Sequence, residues 1–173
     1  LVRSRGLGDV YKRQAEGSGP DALLGLCAPA DEIRDGIITR MAVDGRGLIC
    51  LAIDPQQAQR LGLHAMVEGR ANPSCAGYAR SIEAATGVST GISAADRART
   101  MSVAADPNSG PWSLVSPGHV FPVVTHERGL IGRFRLAEAA VDLMCMADRE
   151  PAAAYCRILR DDGEAATRSD LPH

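Results

Sequence analysis

One continuous apolar run, residues 48–53 (Leu-Ile-Cys-Leu-Ala-Ile), restricts the possible folds of this chain more than any other stretch. Turn-forming residues bound it on both sides, with Gly-Arg-Gly at 45–47 and Asp-Pro at 54–55. A strand with one solvated face alternates apolar and polar residues, whereas a strand covered on both faces is apolar throughout. The run therefore predicts a central strand in a sheet that has other structure packed on both faces.

The remaining predicted elements follow one another irregularly. Apolar residues at helical spacing mark helices, and short apolar runs between turn residues mark strands. The predicted helices span 29–41, 55–61, 94–105 and 136–147, and the predicted strands span 48–53, 78–84, 114–124 and 155–159. The segment 114–124 is predicted as two strands joined by a turn at Pro117-Gly-His119. Because no strict βαβ order appears, we predict an α+β fold with a single mixed-sheet domain.

Residues 87–97 (Gly-Val-Ser-Thr-Gly-Ile-Ser-Ala-Ala-Asp-Arg) have the composition of a ligand-binding loop. The two glycines allow tight turns or close approach to a ligand, and the hydroxyl groups, Thr90 among them, can bind phosphate or sugar. Ser93 followed by Asp96 predicts a helix N-cap, which turns the positive end of that helix toward the loop. A capped turn without a ligand explains the pattern equally well, since it is neither a P-loop nor a G-x-G-x-x-G motif.

Charge and cysteine content exclude several classes of function. The formal net charge is −2 and both signs are interspersed, so no basic surface for nucleic acid is predicted. No apolar run approaches the roughly 20 residues of a membrane span, and no signal-peptide pattern is present. The five cysteines contain no C-x-x-C pair, which argues against a zinc site and a disulfide framework. We therefore expect a cytoplasmic protein whose partner is a small molecule or another protein chain.

Residues 1–14 are predicted to be a non-native leader. They do not begin with Met, are rich in Arg, Lys and Gly, and show neither helical nor strand periodicity. Residues 15–20 are interpreted as a linker of small residues, and residues 15–173 are assigned to the domain. After Asp-Asp-Gly at 161–163 too few residues follow to complete another element, so we expect a domain truncated at both ends.

A collinear series of motifs narrows the protein families to which the sequence can be compared. They are GRGLIC at 45–50, MVE at 66–68, SIEAA at 81–85, the loop at 87–97, PGHVFP at 117–122, EA with DLM at 138–144, and DDG at 161–163. In this order the motifs resemble the 3,4-dihydroxy-2-butanone-4-phosphate synthases of riboflavin biosynthesis, over roughly residues 26–163. The resemblance implies an α+β fold, a homodimer with sites near the subunit interface, and a magnesium-dependent conversion of ribulose 5-phosphate to dihydroxybutanone phosphate and formate.

The resemblance also implies roles for individual residues. His119 matches the catalytic histidine, and Cys50 matches a cysteine at the rim of the site. The implied substrate-binding residues are Thr90, Asp96, Arg97, Arg133 and Glu138, with Arg133 holding the phosphate. Five of these residues have a structural alternative that the residues alone leave open: an exposed turn for His119, core packing for Cys50, capping and ion pairing for Asp96 and Arg97, and a solvated loop charge for Arg133.

The chain departs from the family pattern where the chemistry is concentrated. Leu136 and Ala137 stand where the motif has its metal-binding histidine and a threonine, and Arg157 replaces an essential glutamate. Ser116 replaces an arginine before PGHVFP, and only Asp21 is acidic where the family has its metal-binding acidic loop. Leucine cannot bind Mg²⁺, so we assign no metal ligand although the resemblance implies magnesium.

Three functions follow from these observations. The first is a divergent synthase with lyase activity, and the second is a catalytically inactive paralogue that keeps the fold and sugar-phosphate binding as a partner or regulatory subunit. The third is an altered reaction on a similar sugar phosphate that uses His119 without a metal.

Overall fold

A six-stranded mixed sheet forms the centre of the fold in the computed structural model, which describes residues 12–16, 22–67 and 77–171. The strands are β1 (Lys12–Glu16), β2 (Leu23–Pro29), β3 (Cys50–Ile53), β4 (Ile82–Ala84), β5 (Leu114–Val124) and β6 (Ala152–Arg157). Their spatial order is β1-β2-β6-β3-β5-β4. The β3–β5 pair is parallel and the other neighbouring pairs are antiparallel. The predicted α+β class with one mixed sheet is confirmed.

Helices cover both faces of this sheet. They are α1 (Asp35–Arg40), which continues as a π-helical turn (Met41–Gly45), α2 (Pro55–Arg60), α3 (Ala94–Ala105), α4 (Gly129–Gly132) and α5 (Leu136–Met146). One face carries a core that includes Leu51 and residues of α1 and α3, whereas the other packs Ala52 against α5. All four residues of β3 are buried, which confirms the doubly covered strand expected from its apolar run.

Two helix starts lie where their capping residues predict them. The Asp54 side chain accepts a hydrogen bond from the Gln57 N–H at the start of α2, at 2.7 Å. The Ser93 hydroxyl accepts one from the Asp96 N–H at the start of α3, at 3.0 Å. Both caps satisfy N–H groups that have no partner inside the helix.

The prediction of a strand, turn and strand at 114–124 was wrong, because one strand, β5, covers the whole segment. Pro117 and Gly118 lie instead at an irregularity in the pairing of β5 with β4. Ile82 pairs with Val120, whereas the next residue, Glu83, pairs with Val115. The four residues 116–119 therefore bulge from the ladder, and His119 lies at the end of that bulge.

Other boundaries were also wrong. The helix predicted from Pro29 begins at Asp35, because Pro29 ends β2, a strand that was not predicted, and residues 30–34 form the connection between them. The strand predicted at 155–159 begins at Ala152, and the one predicted at 78–84 is reduced to Ile82–Ala84 with isolated bridges from Tyr78 and Ala79. Alanine and glycine weaken the periodic signal of these strands, and tertiary pairing decides their extent.

Two further expectations, for the linker at 15–20 and for the segment after residue 163, were also wrong. Ala15 and Glu16, expected in a linker, belong to β1, and Arg168–Asp170 form a short 3₁₀ turn after the DDG motif. The non-native origin of residues 1–14 stays a prediction; of these, residues 12–14 lie in β1 and the others lie outside the described residues. No helix in the described ranges is long and apolar enough to cross a membrane.

Candidate functional site

A pocket of about 370 Å³ lies at the edge of the sheet where β3 begins and β6 ends. It brings together three predicted site residues, Cys50, Arg133 and Glu138, with the two departures Leu136 and Arg157. The other lining residues are Gly47, Leu48, Tyr78, Val123, Arg135, Ala137, Tyr155 and Leu159. The volume is in the range of small-molecule sites. This pocket is the candidate active site.

Arg133 and Glu138 form a buried ion pair on one wall of the pocket. The Nε and Nη2 atoms of Arg133 lie 2.6 and 2.5 Å from Oε1 of Glu138, whose side chain is fully buried. Nη2 also donates to the Val124 carbonyl at 2.8 Å, and the His126 N–H donates to Oε1 of Glu138 at 3.0 Å. The solvated-loop alternative for Arg133 is therefore wrong, and Oε1 of Glu138 holds Arg133 and His126.

The pocket lining is cationic. Arg133, Arg135 and Arg157 contribute three guanidinium groups, and Glu138 is the only carboxylate among the lining residues that the structure describes. The first turn of α5 also lines the pocket, and the positive end of a helix favours anions. This electrostatic arrangement fits a small anion, such as a phosphate ester.

Leu136 occupies its position as a core residue. Its side chain is only 3% exposed and packs in the apolar cluster under α5. A Cβ atom added to Gly25, the residue that pairs with Arg157, would lie 2.5 Å from Cδ2 of Leu136. The absence of a side chain at Gly25 therefore makes room for Leu136.

Cys50 faces two tyrosines inside the pocket. Its Sγ lies 3.9 Å from Oη of Tyr78, and Tyr155 lines the same cavity. Burial raises the pKa of the Cys50 thiol to about 11, and hydrogen bonds with Tyr78 and Tyr155 offset only part of that rise. Cys50 is therefore a thiol at neutral pH, able to donate a weak hydrogen bond but not to act as a thiolate nucleophile.

His119 does not line this pocket. Cys50 pairs with Phe121 on the parallel strand β5, and His119 precedes Phe121 by two residues, at the end of the 116–119 bulge. Its Nδ1 atom lies 3.5 Å from Oε1 of Glu83 on β4, and its side chain is 43% exposed.

Asp96 holds the 87–97 loop together from within. Its carboxylate accepts hydrogen bonds from the N–H and Oγ of Ser89, at 3.1 and 2.9 Å, and from the N–H of Gly91 at 3.0 Å. These hydrogen bonds agree with the structural alternative for Asp96, except that the loop, and not Arg97, supplies the partners of its carboxylate. Thr90 is exposed and Arg97 is half-buried, and neither lines the pocket that holds Cys50.

The Asp96 carboxylate should make stability depend on pH. Burial by itself raises the pKa of this carboxyl, but hydrogen bonds from Ser89 and Gly91 outweigh it and hold the pKa below its ordinary value. A lowered pKa stabilises the fold above the unfolded-state pKa of about 3.9, and the contribution is lost as pH falls through the folded-state value. Asp96→Asn should therefore lower Tm at pH 7 and have a smaller effect at pH 3.

Thermal unfolding followed by circular dichroism measures this difference. The exposed loop residue Glu127 supplies the control, since Glu127→Gln should leave Tm nearly unchanged at both pH values. An Asp96→Asn loss of equal size at pH 7 and pH 3 would contradict the assignment.

Sequence reasoning missed four residues around these sites: Tyr78, Glu83, Arg135 and Tyr155. Glu83 had a detectable signal, because it is the one acidic residue in a strand whose neighbours Ile82 and Ala84 are buried. For Tyr78 and Tyr155 the only signal is scarcity: the chain has three tyrosines, and these two converge on Cys50.

Fold and pocket together define an α+β domain suited to a small anionic ligand. The chain belongs to the 3,4-dihydroxy-2-butanone 4-phosphate synthase family, whose model matches residues 12–173. The resemblance inferred from the motifs is therefore confirmed.

Individual relatives agree with this assignment. A 3,4-dihydroxy-2-butanone 4-phosphate synthase of Pseudomonas aeruginosa is 42% identical over 146 residues, which are 84% of this chain and 40% of the relative. The chain thus spans about two fifths of the length of that curated relative. The synthase structure from Candida albicans superposes with a TM-score of 0.83 at 30% identity, covering 92% of this chain and 79% of that one. A synthase structure in complex with two magnesium ions gives a TM-score of 0.77 at 32% identity, covering 80% and 65%.

Proposed function

We propose that this chain is a 3,4-dihydroxy-2-butanone 4-phosphate synthase of riboflavin biosynthesis, which converts ribulose 5-phosphate to dihydroxybutanone phosphate and formate. The observation that carries the proposal is the pocket itself. It combines Cys50 and Arg133, two positions of the family pattern, with a cationic lining, and His119 lies two residues before Phe121, which pairs with Cys50.

The arginines supply substrate binding. Arg133 is fixed by Glu138, so its guanidinium is pre-organised at the pocket wall. Arg135 and Arg157 add positive charge to the lining. A phosphate group would gain charge-assisted hydrogen bonds from this set, and we assign phosphate binding to it.

Proton transfer falls to His119. Imidazole is the side chain best suited to exchange protons near neutral pH, and enolisation of a sugar phosphate requires such an exchange. The protonated Cys50 can donate a hydrogen bond to a substrate oxygen, because burial holds its pKa far above 7. In this proposal the protein is a cytoplasmic homodimer. The exposed apolar residues Leu48 and Phe134 near the pocket support the dimer, since a second subunit could cover them.

Magnesium does not fit the residues that line this pocket. In the part of the chain that the structure describes, no three His, Cys, Asp or Glu side chains are grouped to hold a metal ion. Leu136 is apolar, and Glu138 is the one carboxylate among the lining residues that the structure describes, with Oε1 engaged by Arg133 and Oε2 buried. Three guanidinium groups would also repel a divalent cation. We therefore derive no step of the reaction through magnesium.

The same residues favour a second candidate function, sugar-phosphate binding without turnover by a partner or regulatory subunit. Leu136 and Arg157 line the pocket as an apolar and a cationic side chain. Arg157 adds positive charge that favours an anion where the family resemblance implies an essential carboxylate, and Leu136 supplies no metal ligand where the resemblance implies one.

Formate release from ribulose 5-phosphate tests the proposed function. We expect formate from the unmodified chain, and a loss of about 100-fold in rate for His119→Ala, since general acid–base groups contribute about 10²–10⁴-fold. His64→Ala is the matched control, because His64 is an exposed histidine that matches no catalytic position of the family pattern.

Ribulose 5-phosphate should also raise Tm, as any ligand of the folded state does. A raised Tm without formate would contradict the synthase and support the second candidate. Neither formate nor a change in Tm would contradict both.

A further inference from the structure

We infer that Glu83 is a positioning residue for His119, which holds the imidazole through Nδ1 and leaves Nε2 as the nitrogen that exchanges protons with a ligand. The inference deepens the proposed function and rests on it for the identity of the reaction. The contact between Glu83 and His119 on which it depends is present without a ligand, so it can be tested without turnover.

The first argument is the environment of the Glu83 carboxylate. Oε1 of Glu83 lies 3.5 Å from Nδ1 of His119, and the Glu83 side chain is only 16% exposed. Within the described residues this oxygen is buried and has no hydrogen-bond partner. A buried carboxylate oxygen without a donor is costly. The imidazole is the donor group next to it, and a small rotation would bring Nδ1–H into hydrogen-bond distance.

The second argument is the irregular pairing of β4 with β5. Residues 116–119 bulge between two consecutive pairs of that ladder. Gly118 lies against the β4 backbone, since an added Cβ atom would lie 2.2 Å from the Ile82 carbonyl carbon and 2.6 Å from the Glu83 nitrogen. The Gly118 N–H also donates to Oγ of Ser81 at 3.2 Å. The bulge thus fixes the backbone next to His119 against the strand that carries Glu83.

The third argument is the 87–97 loop, which covers the pair. Gly91 has φ +79°, and a Cβ atom at this position would lie 1.2 Å from Oε1 of Glu83 and 2.6 Å from Nδ1 of His119. Asp96 anchors Gly91 through its N–H, so the loop backbone is held over the two side chains. The carboxylate of Glu83 faces the imidazole from β4, and that of Asp96 lies behind the Gly91 backbone.

The chemical consequence is a defined tautomer. An acceptor at Nδ1 keeps the proton of the neutral imidazole on that nitrogen, so the lone pair is on Nε2. When Nε2 takes a proton from the substrate, the electron pair of the broken bond stays on the substrate. The imidazolium that forms is then stabilised by the Glu83 carboxylate. This arrangement resembles catalytic sites in which a carboxylate orients a histidine and stays ionised itself.

Nitrogen-15 NMR of the histidine side chains tests the inference without any turnover. We expect neutral His119 in the unmodified protein to carry its proton on Nδ1, with the signal assigned by its loss in His119→Ala. Glu83→Ala should shift the equilibrium toward the Nε2–H form, whereas Glu83→Gln, which keeps an acceptor oxygen, should retain Nδ1–H. An Nε2–H tautomer in the unmodified protein would overturn the inference whether or not the protein releases formate.

Kinetics add a second readout. Glu83→Gln keeps the acceptor oxygen but removes the negative charge that stabilises the imidazolium, so it should lower kcat by about tenfold and leave KM within about twofold. The exposed Glu127 again provides the control variant, Glu127→Gln, with unchanged kcat. An unchanged kcat in Glu83→Gln would overturn the inference, whereas absent formate in every variant contradicts only the proposed reaction.

Discussion

Arg133→Ala is expected to lower the free energy of unfolding by about 3–5 kcal/mol, because it leaves the Glu138 carboxylate buried without its counter-ion. Glu138 is fully buried, and Arg133 is both its ion-pair partner and a donor to the Val124 carbonyl. The substitution also removes one of the guanidinium groups of the pocket. Urea unfolding followed by circular dichroism gives the free energy, and calorimetry with inorganic phosphate shows the accompanying loss of anion binding.

Two variants separate the buried pair from a general effect of removing an arginine. Arg133→Ala combined with Glu138→Leu should recover most of the lost stability, since the second substitution removes the unpaired charge. Arg40→Ala breaks an exposed i,i+4 pair with Asp44 and should cost about 0.5 kcal/mol or less. A loss below about 1 kcal/mol in Arg133→Ala would show that water reaching Glu138 through the pocket replaces the guanidinium.

The predictable parts of the fold are those that local physics determines. The apolar run of β3 identifies a strand buried on both faces, and the caps Asp54 and Ser93 fix the starts of α2 and α3. The missed parts depend on partners distant in sequence. β6 begins with three alanines, which carry no strand signal of their own, and their burial between β2 and β3 decides the conformation.

The site divides in the same way. The motifs predicted roles for His119, Cys50 and Arg133, because each lies in a short characteristic string. They did not identify Glu83 as a neighbour of His119, because that contact depends on where β5 bulges against β4, which no local pattern specifies. Residues distant in sequence also converge in the pocket. The sequence shows that Arg157 replaces a carboxylate, but only the fold shows that it lines the same pocket as Arg133 and makes the lining cationic.

Gly91→Ala is expected to lower the rate of formate release by about 100-fold, since misplacing a catalytic group by about 1 Å can cost that much. The new methyl group would occupy the position of Oε1 of Glu83, and the flexible carboxylate must move away from His119 to admit it. The left-handed backbone adds a cost of about 1–2 kcal/mol in stability for a residue other than glycine.

Gly163→Ala separates these two effects. Gly163 has φ +86°, close to that of Gly91, but an added Cβ atom would meet nothing within 4 Å. Both variants should therefore acquire about the same backbone strain, whereas only Gly91→Ala should lose activity and the Nδ1–H tautomer of His119. Equal rates of formate release in the two variants would mean that the loop does not hold Glu83 against His119. A lower rate in Gly91→Ala alone would show that the 87–97 loop supports the reaction by fixing this pair, since the strain is common to both.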